Sequence, residues 1–392
     1  MSLRLRPALA ALAAATALLL HACGGGVEGQ GTGSVSYSEG PIGGFGSIIV
    51  NGVRYDERSA RIVDEDGGTL TSADLRLGMT VRVDGGAIDP VSLSAVATDV
   101  QVTSDLRGRV AAKDAVAGTL TVLGQTVRVT AATAFDEALA GGLGAVAVGS
   151  TVEVYAILDP VTGAYAAQRV EPDPSPSDFK LRGVVAGLDL AARMLRIGGA
   201  TFTWAQGVQP AGLANGQTVR LTLQTATDAQ GRWVVTRFDD GVALPPDGAE
   251  VEIESVVASY TSLASFTVAG VRVDASAARV EPAGATVAAG VRVEVEGHYR
   301  GGVLVADQVE VKGSGDDGGD DDGREVELHG AISGLDTVAR TFVLRGLTVD
   351  YAQADFKDGT AADLANGVEV EVHGRLDGSG TVVVAEEIDF ED

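Results

Sequence analysis

The sequence predicts an all-β protein, a tandem array of about five small antiparallel five-stranded barrels. Two observations carry this. A nine-residue pattern recurs five times, at Leu75–Val83, Val146–Val154, Leu213–Leu221, Val287–Val295 and Leu364–Val372. Each copy has an aliphatic residue, a glycine three positions later, and then aliphatics alternating with polar or charged residues, the signature of one β-unit repeated along the chain. The composition agrees: glycine is abundant at 53 residues and aromatics are scarce at 5%, so the cores must be built from Val, Leu, Ile and Ala. The pattern glycines Gly78, Gly149, Gly216, Gly290 and Gly367 stand roughly 70 residues apart, a size at which a unit folds alone only marginally.

The first element, residues 1–22, is expected to be a secretory signal. Arg4 and Arg6 are followed by an apolar run, Ala8 to Leu20, too short for a stable membrane span. Leu20-His21-Ala22-Cys23 then resembles the bacterial lipobox, which implies that Cys23 becomes the mature N-terminus and carries acyl chains. Buried acyl methylenes contribute about 0.8 kcal/mol each, so several chains hold a protein on a membrane. Gly24 after that cysteine implies, by the same resemblance, the outer membrane. Cys23 is the only cysteine, so the array must hold together without disulfides. Residues 23–39, rich in Gly and Ser, read as a flexible tether.

The units follow as repeat one (40–105), repeat two (106–171), repeat three (179–243), repeat four (250–312) and repeat five (324–392). Strand one appears as Leu106-Arg107-Gly108-Arg109-Val110, Leu181-Arg182-Gly183-Val184-Val185 and Leu328-His329-Gly330-Ala331-Ile332, its glycine signalling a bend or bulge. Strand two ends in glycine, as in Met194–Gly198 and Phe342–Gly346, and strand three follows at once, as in Thr201–Trp204 and Leu347–Tyr351. Asn51-Gly52 between two apolar runs marks the corresponding two-residue hairpin in the first unit. An irregular stretch, such as Ala134–Leu139, leads into the nine-residue pattern and strand four. Strand five is Tyr165–Val170, Trp233–Phe238, Val303–Val309 and Val382–Ile388 in successive units. Five short strands with an irregular stretch between the third and fourth is the plan of an OB-like barrel.

The order of features also resembles a bacterial family, domain of unknown function 5666. The likeness is clearest in Gly40-Pro41-Ile42-Gly43-Gly44-Phe45-Gly46-Ser47-Ile48-Ile49-Val50-Asn51-Gly52 and in Asp74-Leu75-Arg76-Leu77-Gly78-Met79. It implies tandem modules on secreted and lipoprotein chains and brings no catalytic residues.

Between units lie a Pro-rich linker (172–178), a second linker (244–249) and a Gly/Asp-rich linker (313–323). Linkers of this kind predict separate beads rather than a continuous stack. No linker separates repeats one and two at Ser104-Asp105-Leu106, so these are expected to pack closely.

The formal net charge of −25 argues against nucleic-acid binding, which draws its energy from Lys and Arg replacing counterions. Asp316, Asp317, Asp320, Asp321 and Asp322 are hard oxygen ligands suited to Ca²⁺, yet Gly318 and His329 stand where an EF-hand loop needs its first aspartate and its closing glutamate. The linker reads as a solvated spacer, with a Ca²⁺-responsive site as the alternative. Beyond the signal the histidines are His298, His329 and His373; His329 takes the slot of Arg107 and Arg182, and His373 that of Asp84 and Glu296, so the histidines are expected to face water. Trp204 and Trp233 fall on strands three and five of repeat three; they fill the core or, alternatively, stack on a sugar. No nucleophile elbow and no HExxH spacing is present. The expectation is a non-catalytic, lipid-anchored outer-membrane protein whose array spaces or binds an envelope protein or a glycan.

Overall fold

The computed structural model describes residues 35–89, 91–208, 212–312 and 325–390. Five barrels follow one another. Their first strands are Ser36–Phe45, Leu106–Asp114, Phe179–Val184, Glu250–Ser262 and Glu325–Ala331. Their fourth strands are Thr80–Gly85, Thr151–Leu158, Thr218–Thr227, Arg292–Arg300 and Glu369–Leu376; their fifth are Ser94–Val102, Tyr165–Pro172, Trp233–Asp240, Val303–Val311 and Val382–Phe390.

In barrel one, strand one pairs antiparallel with strand four and with strand two (Ile48–Val50). Strand two pairs with strand three (Val53–Asp56), and strand four with strand five. The ring closes where strand three meets strand five in parallel, Arg54 opposite Ser94. The other four barrels close through the same parallel pairing. This is the OB-like plan, with one correction to the expectation of antiparallel strands throughout. The odd number of strands explains it: with the other four pairs of the ring antiparallel, strands three and five must run the same way.

Alternation fills the interior. In strand four of barrel five, Val370 and Val372 are fully buried while Glu369 and Glu371 point outward. The pattern glycines do one job five times. All have positive φ, from 80° to 92°, and each N–H donates to a carbonyl within or just after its barrel's strand one: Gly78 to Ile42, Gly149 to Val110, Gly216 to Val185, Gly290 to Val257 and Gly367 to Ile332. Three residues upstream, Leu75, Val146, Leu213, Val287 and Leu364 are all buried. The pattern is therefore an anchor, a left-handed turn and an inserted strand.

Two expectations fail. Residues Ser36–Glu39, assigned to the flexible tether (23–39), open strand one of barrel one, with Tyr37 only 1% exposed. The barrels are also not separate beads. Strand one of a small barrel bends, pairing with strand four along its first half and strand two along its second, so each half keeps one open edge. Neighbours take those edges. Ser36–Glu39 pair in parallel with Glu250–Ile253 of barrel four, Gly44–Phe45 with Glu327–Leu328 of barrel five, and Arg107–Leu106 of barrel two antiparallel with Lys180–Leu181 of barrel three. One apolar cluster runs through barrels one and five and another through barrels two and three, while Tyr37 of barrel one packs into the core of barrel four. Pairing of this kind satisfies backbone groups that would otherwise template aggregation.

Candidate functional site

The outer face of strands one and four carries charge in every barrel. Glu39 faces Arg82 in barrel one, Arg107 faces Glu153 in barrel two, Arg182 faces Arg220 in barrel three, Glu254 faces Glu294 in barrel four, and His329 faces Glu371 in barrel five. Two residues upstream on strand one the partners are Tyr37–Asp84, Lys180–Thr222, Glu252–Glu296 and Glu327–His373 in barrels one, three, four and five. These faces are turned toward other barrels, so their charges meet at seams.

At the seam of barrels one, two and three, the acidic turn Asp64–Gly67 of barrel one reaches into barrel three. Lys180 Nζ, on a side chain 1% exposed, donates to both Asp66 oxygens at 2.7 Å, and Arg237 donates to the same carboxylate at 2.7 Å. Against the upward push of burial, these two cations hold the Asp66 carboxyl below its usual range. Ser104 Oγ donates to Glu65 at 3.0 Å, and Arg220 donates to the Ser104 carbonyl at 2.7 Å. Arg182 donates to Asp105 at 3.3 Å and to the Gly241 carbonyl at 2.8 Å, and the other Asp105 oxygen accepts the Ala156 N–H at 3.1 Å. Arg107 pairs with Asp178. Burial pushes the Asp105 carboxyl up against the pull of Arg182 and Arg220, and burial with the Glu65 charge lifts Glu153 to about 7. A cavity of about 360 Å³ opens here, lined by Glu39, Arg82, Asp105, Arg182, Arg220 and Asp239 among others.

At the seam of barrels one and four, Ser38 donates to Glu252 at 3.3 Å and shares a 2.6 Å hydrogen bond with Tyr55. Burial, then the charges of Glu296 and Glu294, push Glu252 up to about 9.

At the seam of barrels one and five, Arg54 holds Glu327 through two contacts, at 2.5 and 2.9 Å, and lies 3.9 Å from Glu371. His373 Nε2 stands 3.4 Å from Glu371. One donor atom from each of Glu327, Glu371 and His373 falls within 4.8 Å of the others. Beside them runs an open groove of about 630 Å³, lined by Asp56, Glu57, Arg58, His329, Arg345 and Glu369 among others.

The residues singled out from sequence fall elsewhere. Cys23 and Asp316, Asp317, Asp320, Asp321 and Asp322 lie outside the described residues. Trp204 is 3% exposed in the core of barrel three, its ring against Phe238 at 5.4 Å, so its face is not open to a sugar. Trp233 is half-buried, edge-on to Phe179 at 5.6 Å. His373 and His298 are partly exposed as expected, with side chains 46% and 39% accessible. The docking turn Asp64-Glu65-Asp66-Gly67 escaped the sequence reading. Its signal is an acidic turn in one unit set against Lys180, Arg182, Arg220 and Arg237 in another, four of the 29 Lys and Arg residues of a chain with 54 Asp and Glu.

Three segments, 107–171, 252–310 and 329–389, match the family described as Domain of unknown function (DUF5666). They coincide with barrels two, four and five, whereas the residues 40–52 and 74–79 of barrel one that carry the likeness lie outside them. No curated protein matches the chain. A solved structure titled "drosophila Unr CSD456" is similar at 13% identity with a TM-score of 0.16, covering 54% of this chain and 98% of that one.

Proposed function

We propose, on the premise that this chain is a tandem array of DUF5666-like domains, that it is a non-catalytic envelope lipoprotein. In this reading acyl chains on Cys23 hold it on the outer membrane, and the barrels act as one body that spaces or binds an envelope partner. The observation that carries the reading is the use of strand-one edges and buried ion pairs to join barrels. Lys180–Asp66 and Arg220–Glu65 tie barrel three to barrel one, and Arg182–Asp105 ties it to the junction of barrels one and two. Acids and bases paired across seams serve to hold modules in place. Catalysis instead needs a nucleophile, a base and an electrophilic pocket converging on one point. A body of joined barrels presents a fixed surface, which lowers the ordering cost of binding a partner.

The test is fractionation of cells expressing the full chain or Cys23→Ser, with mass spectrometry of the mature N-terminus. Wild type is expected acylated in outer membranes and the variant released, with partners captured from detergent extracts only by the anchored form. A Cys23→Ser chain still resident in membranes, or an unmodified thiol in wild type, overturns the proposal.

A further inference from the structure

We propose that Glu327, Glu371 and His373 form a binding site for a divalent transition-metal ion of the zinc type, at the seam of barrels one and five. The three donors come from two paired strands. Glu327 lies on strand one, directly opposite His373 on strand four, and Glu371 is two residues before His373 on the same outward face. Their donor atoms already sit within 4.8 Å of one another, with Glu371 and His373 at 3.4 Å. Four ligands around zinc, each about 2.0–2.2 Å from the metal, stand roughly 3.3 Å apart, so side-chain rotation alone closes the remaining distance. Two carboxylates and one imidazole leave the fourth position for water.

Comparison of the five barrels supplies an independent reason. The strand-one residue facing strand four is Glu39, Arg107, Arg182 or Glu254 in the first four barrels and His329 in the fifth. The next pair is Glu252–Glu296 in barrel four and Glu327–His373 in barrel five. Barrel five sets an imidazole opposite a carboxylate at two adjacent pairs, Glu327–His373 and His329–Glu371, where barrel four does so once, at Glu250–His298. Imidazole favours zinc, cobalt, nickel or copper over Ca²⁺ and Mg²⁺, which prefer all-oxygen sites.

Arg54 of barrel one competes with the metal. Its guanidinium occupies Glu327 from one side, and with 44% of its side chain accessible it can swing away into solvent. This gives the proposal a sign that a structural ion pair does not share: removing Arg54 strengthens metal binding.

The experiment is calorimetric titration of the mature full chain with Zn²⁺, repeated with Co²⁺ and read by its visible absorption. All five linker aspartates (Asp316, Asp317, Asp320, Asp321, Asp322) are changed to asparagine so that they contribute no heat. One saturable site is expected, with the intense visible bands of four-coordinate cobalt. His373→Gln and Glu371→Gln should each weaken Zn²⁺ by at least about tenfold, since even the loss of an outer partner costs a metal site that much. Arg54→Gln should tighten it severalfold. Circular dichroism of each variant checks folding, and the exposure of His373 and Arg54 makes both changes tolerable. Absence of saturable Zn²⁺ heat, unchanged affinity in folded His373→Gln, or weaker binding in Arg54→Gln overturns the site.

Discussion

Asp105 stands at the junction of barrels one and two with its carboxylate enclosed against barrel three. It is 2% exposed, lies 3.3 Å from Arg182, and shares its surroundings with Arg220. Arg182 also reaches Glu39 at 4.0 Å and Arg220 reaches Glu65 at 3.7 Å, but Asp105 is the most deeply buried of the three carboxylates. Asp105→Ala should therefore cost on the order of 3–5 kcal/mol, the usual result of stripping one partner from a buried ionic group. Asp99→Ala removes an exposed partner of Arg61 and should cost only about 0–1 kcal/mol. Urea unfolding of the two variants against wild type measures the difference, and equal effects would show that Asp105 is solvated. Nothing in the sequence around Ser104-Asp105-Leu106 marks this aspartate apart from the lack of a linker. Its importance comes from arginines 77 and 115 positions away, a distance that local patterning does not span. Trp204 teaches the converse. Its type fits both a sugar platform and a core, and only the position of Phe238 decides between them.

The pattern glycines show how one element can be legible in outline yet unequal in detail. All five need a left-handed backbone, which costs other residues about 1–2 kcal/mol, and this much follows from spacing alone. The surroundings differ. A Cβ on Gly216 meets nothing within 4 Å, whereas on Gly78 it overlaps the Gln168 carbonyl of barrel two. Gly216→Ala should cost about 1–2 kcal/mol. Gly78→Ala should cost a further 1–3 kcal/mol or so, because the seam must open to accept the methyl group. Thermal or urea unfolding of the pair tests this; equal losses would mean that barrels one and two do not pack in solution as described. Hairpins were equally open to the sequence: Asn51-Gly52 both have positive φ, at 51° and 78°, and join Val50 to Val53 directly. The tether boundary was not, because Ser36-Tyr37-Ser38-Glu39 buries Ser36, Tyr37 and Ser38 between two barrels and so loses the alternation that betrays a one-sided strand.

The whole molecule should respond to pH through its seams. Glu252 is lifted to about 9 by burial and by Glu296 and Glu294, with Glu250, Ser38 and Tyr55 also close by. Glu153, at another seam, is lifted to about 7. A carboxyl raised above its unfolded value of about 4.3 contributes stability that is fully present below that value and is lost as pH rises through the folded one. The melting temperature is therefore expected to fall between pH 5 and pH 9. Glu252→Gln, which keeps the hydrogen-bonding shape without the charge, should flatten the upper part of that decline. The carboxyls held low by hydrogen bonds, such as Asp56 at about 2, act in a more acidic window and do not mask the effect. A melting curve independent of pH across this range, or an unaltered slope in Glu252→Gln, would rule out a buried Glu252 at the seam.

The sequence by itself determined the unit: alternation chose strands, glycine chose turns, and their recurrence set five barrels, because each signal acts within a few residues. Tertiary structure decided what the barrels do to one another. Closing a ring around a bent first strand leaves half-edges and charged faces whose partners lie far along the chain, as Ser38 finds Glu252 and Arg54 finds Glu327. Which carboxylate meets which cation is thus a property of how closed barrels fit together, and no local rule of spacing contains it.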